Sequence, residues 1–217
     1  MFGLKLAAFA IGFCLAPLPA AAGSGAKDAL KTYADIAQAS YTDSLDAART
    51  LKLAIEAGDL LEEQRLAPAL HQLSIRHLAI AADDTAVFGC QFRGPEDEAP
   101  ALVGFHRRGE PPVVVEAAAE TQSGLRNYIG SVAADRSGEI VAASAPKGGL
   151  ITYWDVERRR FLGTASLADG CGLAPTHRRA SFLLTSGEGW LVTAEAGGAM
   201  SRQPSDFQWD NHAILVR

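Results

Sequence analysis

The chain has 217 residues, 48% of them hydrophobic and 21% charged, with 20 Lys and Arg against 25 Asp and Glu for a formal net charge of −5. This is the composition of an ordinary globular protein, and its scattered basic residues lack the concentrated positive footprint of a nucleic-acid binder.

Lys5 precedes an apolar run from Leu6 to Leu18 and the small residues Ala20-Ala21-Ala22. That order is the pattern of a secretory signal with an A-x-A cleavage site, so residues 1–22 are expected to be a signal peptide and the mature chain to begin near Gly23 in the periplasm. The run is shorter than the roughly 20 apolar residues of a bilayer span, and no later stretch reaches that length, so no membrane span is expected. Cys14 is expected to leave with the signal, because Phe13 stands where lipid attachment requires a small residue. Cys90 and Cys171 then remain in an oxidising compartment. One lies in a strand-like run and the other in a turn, and spacing leaves their pairing open.

From Asp28 to Ala57 the pattern is helical. Leu30, Tyr33, Ala37, Tyr41, Leu45, Ala48, Leu51 and Ile55 recur at spacings of three and four, with Lys31, Asp35, Gln38, Asp46, Arg49 and Lys52 on the opposite face. Asp28 is suited to N-cap this helix and Gly58 to end it. Such an apolar stripe must be buried against a partner, and no second helix of comparable length follows.

After Ala67-Pro68 the period changes to that of strands. His77–Ala81, Ala86–Phe92, Ala101–His106 and Pro112–Val115 are apolar or alternating runs separated by turn signals at Asp83-Asp84, Gly94-Pro95 and Arg108-Gly109. The order returns in Tyr128–Ala133, Glu139–Ala143, Leu150–Trp154 and Phe161–Leu167. A more divergent third unit runs from Gly172 through Phe182–Leu184, Trp190–Val192 and Ala213–Val216. Ala82-Asp83 and Ala134-Asp135 occupy matching places about fifty residues apart, and Trp154-Asp155 enters the last turn of a unit. Four short strands per unit at this period predict a mainly β fold: a partial β-propeller of about three four-stranded blades, WD40/YVTN-like, behind one long amphipathic helix. A β-sandwich is the alternative arrangement of the same strands. Propellers close with four to eight blades, so three are expected to leave open blade edges through which the chain self-associates.

Two resemblances follow. The stretch Tyr33-Ala34-Asp35-Ile36-Ala37-Gln38-Ala39-Ser40-Tyr41-Thr42-Asp43-Ser44-Leu45 resembles the first helix of the imelysin family, the insulin-cleaving membrane protease relatives of bacterial iron-uptake loci. Residues 58–217 resemble the C-terminal part of an uncharacterised periplasmic seven-bladed propeller family, a domain of unknown function often encoded beside imelysins. The phrases that carry this second resemblance are His71–His77, Ser144–Gly149, Asp169–Gly172, Thr185–Gly187 and Trp209–His212. Together the two imply a signal peptide at 1–22, an imelysin-like helix fragment at 23–57 and a partial propeller domain at 58–217. They also imply a fusion near Ala57-Gly58, and a truncated product without selected function is one reading of such a fusion.

No catalytic constellation is complete. The imelysin pattern G-x-H-x-x-E is absent, and Gly104-Phe105-His106-Arg107-Arg108-Gly109, its nearest approach, has glycine in place of the glutamate and reads as a surface strand. There is no H-E-x-x-H, P-loop or nucleophile elbow. Arg158-Arg159-Arg160 reads as a solvated hairpin loop, and Glu96-Asp97-Glu98 and Asp83-Asp84 as solvated acidic loops. His71 and His77, six apart, would share a face of one strand about 20 Å from each other, too far for one metal. With Arg76 and His212 they are the candidate ligand-facing residues. No catalytic residue, cofactor or metal ligand is assigned.

The expected function is that of a non-enzymatic periplasmic binding or scaffold protein whose partner is an unknown protein or small ligand, not nucleic acid. The resemblances imply a link to iron uptake. The alternative, an imelysin-type peptidase or metal-binding protein of the cell envelope, requires the missing helices and the missing His–Glu pair.

Overall fold

A computed structural model describes residues 64–210 and residue 213. The expected signal peptide, the expected helix from Asp28 to Ala57 and His212 lie outside the described residues.

The described strands form three four-stranded antiparallel sheets, each built from consecutive strands. Blade 1 comprises β1 (Leu73–Ile80), β2 (Ala86–Phe92), β3 (Val103–His106) and β4 (Val113–Val115). Blade 2 comprises β5 (Ser131–Ala134), β6 (Ile140–Ala145), β7 (Leu150–Asp155) and β8 (Arg160–Ser166). Blade 3 comprises β9 (Gly170–Pro175), β10 (Ser181–Ser186), β11 (Trp190–Glu195) and β12 (Met200–Pro204). A six-residue helix, α1 (Ala119–Gly124), stands between the first two blades.

The first strands pack against one another, β1 on β5 and β5 on β9, whereas the fourth strands β8 and β12 are largely in solvent. The sheets therefore fan out from an axis lined by β1, β5 and β9, the arrangement of propeller blades. A sandwich would set two sheets face to face; here three stack in chain order. A blade sandwiched between neighbours is covered on both faces, so its inner strands read as continuous apolar runs. β6 is Ile-Val-Ala-Ala-Ser-Ala, buried from Val141 onward, while β8 alternates exposed and half-buried residues.

Two cores result. Between blades 1 and 2, Phe105 and Trp154 meet edge to face at 6.5 Å, and Trp154 meets Phe161 at 5.4 Å. The Trp154 indole N–H donates to Thr152 Oγ1 at 2.9 Å, so this fully buried ring leaves no polar atom unsatisfied. Between blades 2 and 3, Ile151 and Tyr153 pack on Leu173, Phe182, Leu184 and Val192. Each such side chain, fully buried, contributes about 1.5–3 kcal/mol. Blade contact also requires glycine: a Cβ on Gly89 would lie 2.4 Å from Ile129 Cγ2. Gly138, at φ +74°, accepts the Ala82 N–H at 2.8 Å and has no room for a Cβ beside that nitrogen.

Three expectations need correction. The fourth strand of blade 3 is Met200–Pro204, not Ala213–Val216; of the latter only Ala213 is described, and it lies against Gly172 of β9. His106 is not a surface residue but 3% exposed, because β3 is buried along its whole length. The basic run is not merely solvated. Arg158 bonds Asp155 through both its backbone N–H and its guanidinium, and Arg159 reaches across to Glu110 of blade 1.

Candidate functional site

One of the three axis strands, β1, carries a charged side chain, and its placement follows from a change of parity in the sequence. Leu73 and Ile75 are apolar at odd positions, Leu78 and Ile80 at even ones. In the ladder, Leu73 faces Phe92, Ile75 faces Cys90, Leu78 faces Phe88 and Ile80 faces Ala86, so all four share one side of the blade. That is achieved because Ile75 pairs with Cys90 and His77 with the adjacent Gly89, leaving Arg76 as an extra residue. This is a β-bulge, a device that re-aims a side chain without breaking the sheet.

Arg76 is exposed, and no hydrogen bond or ion pair occupies its guanidinium among the described residues. His77 is half-buried beside it. His71 is exposed and precedes β1, its N–H donating to Pro68 O at 3.2 Å. The structure thus brings Arg76 and His77 together on the axis strand and sets His71 in the turn before it, so the two histidines do not share a regular strand face.

The other two axis strands are Ser-Val-Ala-Ala and Gly-Cys-Gly-Leu-Ala-Pro. Of the residues in β1, β5 and β9, Arg76 alone carries a formal charge. The parity switch was visible in the sequence and is the signal that could have located this bulge.

Away from the axis, charges are spent on structure. Burial pushes the Asp155 carboxyl up, but hydrogen bonds from the Arg158 backbone and guanidinium, with the charges of Arg158 and Arg160, outweigh it and leave the group below its usual range. The Trp-Asp dipeptide is therefore a hairpin cap. Arg159, hydrogen-bonded to Glu110, lowers that carboxyl as well. Arg179 pairs with Glu139 of the preceding blade, and Arg178 with Glu195 at 2.7 Å.

Cys90 and Cys171 are both free thiols, buried in different blades. Burial pushes Cys90 up to about 12 and Cys171 up to about 11, the latter despite the Gly187 N–H and with help from Asp169 and Asp210. Neither is a thiolate at neutral pH, so neither is an activated nucleophile. Among the described residues, no group of three or more His, Cys, Asp and Glu side chains could hold a metal ion. No described helix is long and apolar enough to cross a membrane.

Among solved structures, the chain is similar to a streptogramin B lyase, with a TM-score of 0.50 at 8% identity over 67% of this chain and 45% of that one. It is also similar to the RRP9 WD40 repeats, with a TM-score of 0.49 at 18% identity over 66% and 43% of the two chains. A nidogen in complex with laminin matches with a TM-score of 0.46 at 16% identity over 66% and 51%. The chain spans about half or less of each of these three chains, and at 8% identity the likeness to the lyase is one of fold. No curated protein sequence matches it. The model of a family described as "Protein of unknown function (DUF1513)" matches residues 35–216, most of the chain, and the chain belongs to that family.

Proposed function

We propose that this chain is a non-enzymatic, propeller-type binding or scaffold protein of the periplasm, exported by residues 1–22. The observation that supports the reading is the bulge on β1, which holds an exposed Arg76, unpaired among the described residues, on an axis strand whose two neighbouring axis strands carry no charge. A fold spends an irregularity there to present a side chain, and an axis of this kind is a place for a ligand. The link to iron uptake rests on the imelysin resemblance of Tyr33–Leu45. The family match begins at residue 35 and so runs through the proposed junction at Ala57-Gly58. A two-fragment origin with its joint at that point sits poorly with this.

Self-association through blade edges belongs to the same proposal, and the polar, exposed β12 (Met-Ser-Arg-Gln-Pro) works against it at that edge. The test that separates binding from turnover uses the purified chain in two assays. A small ligand that raises the melting temperature without being converted supports the reading. Chelator-sensitive cleavage of an unfolded protein substrate contradicts it and favours the peptidase alternative.

A further inference from the structure

We infer that the ligand taken at the axis is an oxyanion, a carboxylate- or phosphate-bearing small molecule held by the Arg76 guanidinium. This inference rests on the binding reading above and names the chemistry of that site.

Three observations carry it. The first is geometric: the bulge takes Arg76 out of the β1 ladder at mid-strand, and exposure leaves its fork of N–H donors free to meet a partner. The second is electrostatic. The protein as a whole is acidic, at −5, yet its three axis strands contain no Asp or Glu, and their one formal charge is positive. At the outer turns Glu110, Glu139, Glu157 and Glu195 are each paired with an arginine, whereas the charge of Arg76 has no carboxylate beside it in the axis strands. The third is a contrast with the arginines at the turns. Arg107, Arg158, Arg159, Arg160, Arg178 and Arg179 are each matched to a carboxylate of the chain. Among the described residues Arg76 has no such match, a condition it shares with Arg93, Arg108, Arg126, Arg136 and Arg202, but of these it alone lies in an axis strand.

Planar, bidentate recognition of carboxylate and phosphate is what a guanidinium does better than an ammonium. A ligand held this way distinguishes arginine from lysine, whereas diffuse attraction to positive charge does not.

The experiment is isothermal titration of the purified full chain with inorganic phosphate, with citrate and with the neutral sugar trehalose, in the wild type and in Arg76→Ala, Arg76→Lys and Arg136→Ala. Arg136 is a control, an exposed arginine in the β5–β6 turn. Melting temperatures accompany each titration. The inference expects phosphate or citrate to bind, at least about tenfold loss in Arg76→Ala, an intermediate loss in Arg76→Lys and no change in Arg136→Ala, all with an unchanged melting temperature. The arm that binds separates phosphate from carboxylate recognition. Equal affinity in Arg76→Ala, or equal loss in Arg136→Ala, overturns it. Binding of trehalose alone leaves the binding reading standing and overturns the oxyanion; binding of none of the three overturns both. Should Arg76→Ala unfold, Arg76→Lys decides, since lysine keeps the charge and wild-type affinity there would contradict recognition by the fork.

Discussion

The carboxylate of Asp135, at the end of β5, accepts a hydrogen bond from the backbone N–H of Ala180 in the next blade at 2.7 Å. Asp135 is 5% exposed and also accepts from the Ser137 hydroxyl and the Ile140 N–H, so one side chain closes its own turn and fastens blade 3 to blade 2. The bond holds Ala180 at φ 55°, a conformation an alanine rarely adopts. Replacing Asp135 by alanine orphans three donors, and the expected cost is about 2–3 kcal/mol. Urea unfolding measures it. A loss below about 0.5 kcal/mol, the usual scale of surface substitutions, would show that the bond does not fasten the blades.

Tyr153 carries the opposite expectation. Its ring packs on Phe182 at 5.9 Å between the same two blades, but its hydroxyl is buried without a hydrogen-bond partner. An unsatisfied buried hydroxyl costs about 1–3 kcal/mol, so Tyr153→Phe is expected to leave stability unchanged or raise it, whereas Tyr153→Ala empties the interface at a cost of about 3–5 kcal/mol. A clear drop in melting temperature for Tyr153→Phe would mean the hydroxyl is satisfied in solution.

The buried thiols predict an alkaline limit. Cys90 is raised from 9.0 to about 12 and Cys171 from 9.0 to about 11. In the unfolded chain these groups lose their protons first, so above pH 9 the unfolded state binds fewer protons than the folded one and stability falls as pH rises. The stabilisation is complete below about pH 9 and is lost progressively toward 11–12. Cys90→Ala is expected to flatten the slope of unfolding free energy against pH in that window. The same burial predicts that iodoacetamide leaves both thiols unmodified in native protein at pH 8 and labels both in urea, which mass spectrometry reads directly. Rapid native labelling of Cys90 would place it outside the core.

Much of this fold was legible as periodicity. Strands such as Ala86–Phe92 are apolar runs between Asp, Gly and Pro turn signals, and the structure places β2 over those residues. What escaped has physical reasons. β12 was missed because an outermost strand faces water and has no apolar alternation to show; Met-Ser-Arg-Gln-Pro is held by its ladder with β11 and by Arg202, which donates to Ser166 O of β8 at 3.0 Å. The burial of His106 was invisible because a four-residue strand covered on both faces need not exclude a polar side chain. The start of β1 was misplaced because period two breaks at the Arg76 bulge. Likewise, Arg159 read as one of three solvated arginines, since nothing local announces a partner 49 residues earlier. Of the candidate site, Arg76 and His77 were named from their neighbours in sequence, but their position on an axis strand needed the stacking of three blades.

The most direct test of the central claim, a fan of blades with Arg76 at its axis, is to titrate isotopically labelled full chain with phosphate or citrate and map the backbone amide shifts. The account predicts shifts concentrated in β1, β5 and β9 around Arg76 and absent from β4, β8 and β12. Shifts confined to the outer strands, or none in the axis strands at saturating ligand, would contradict it.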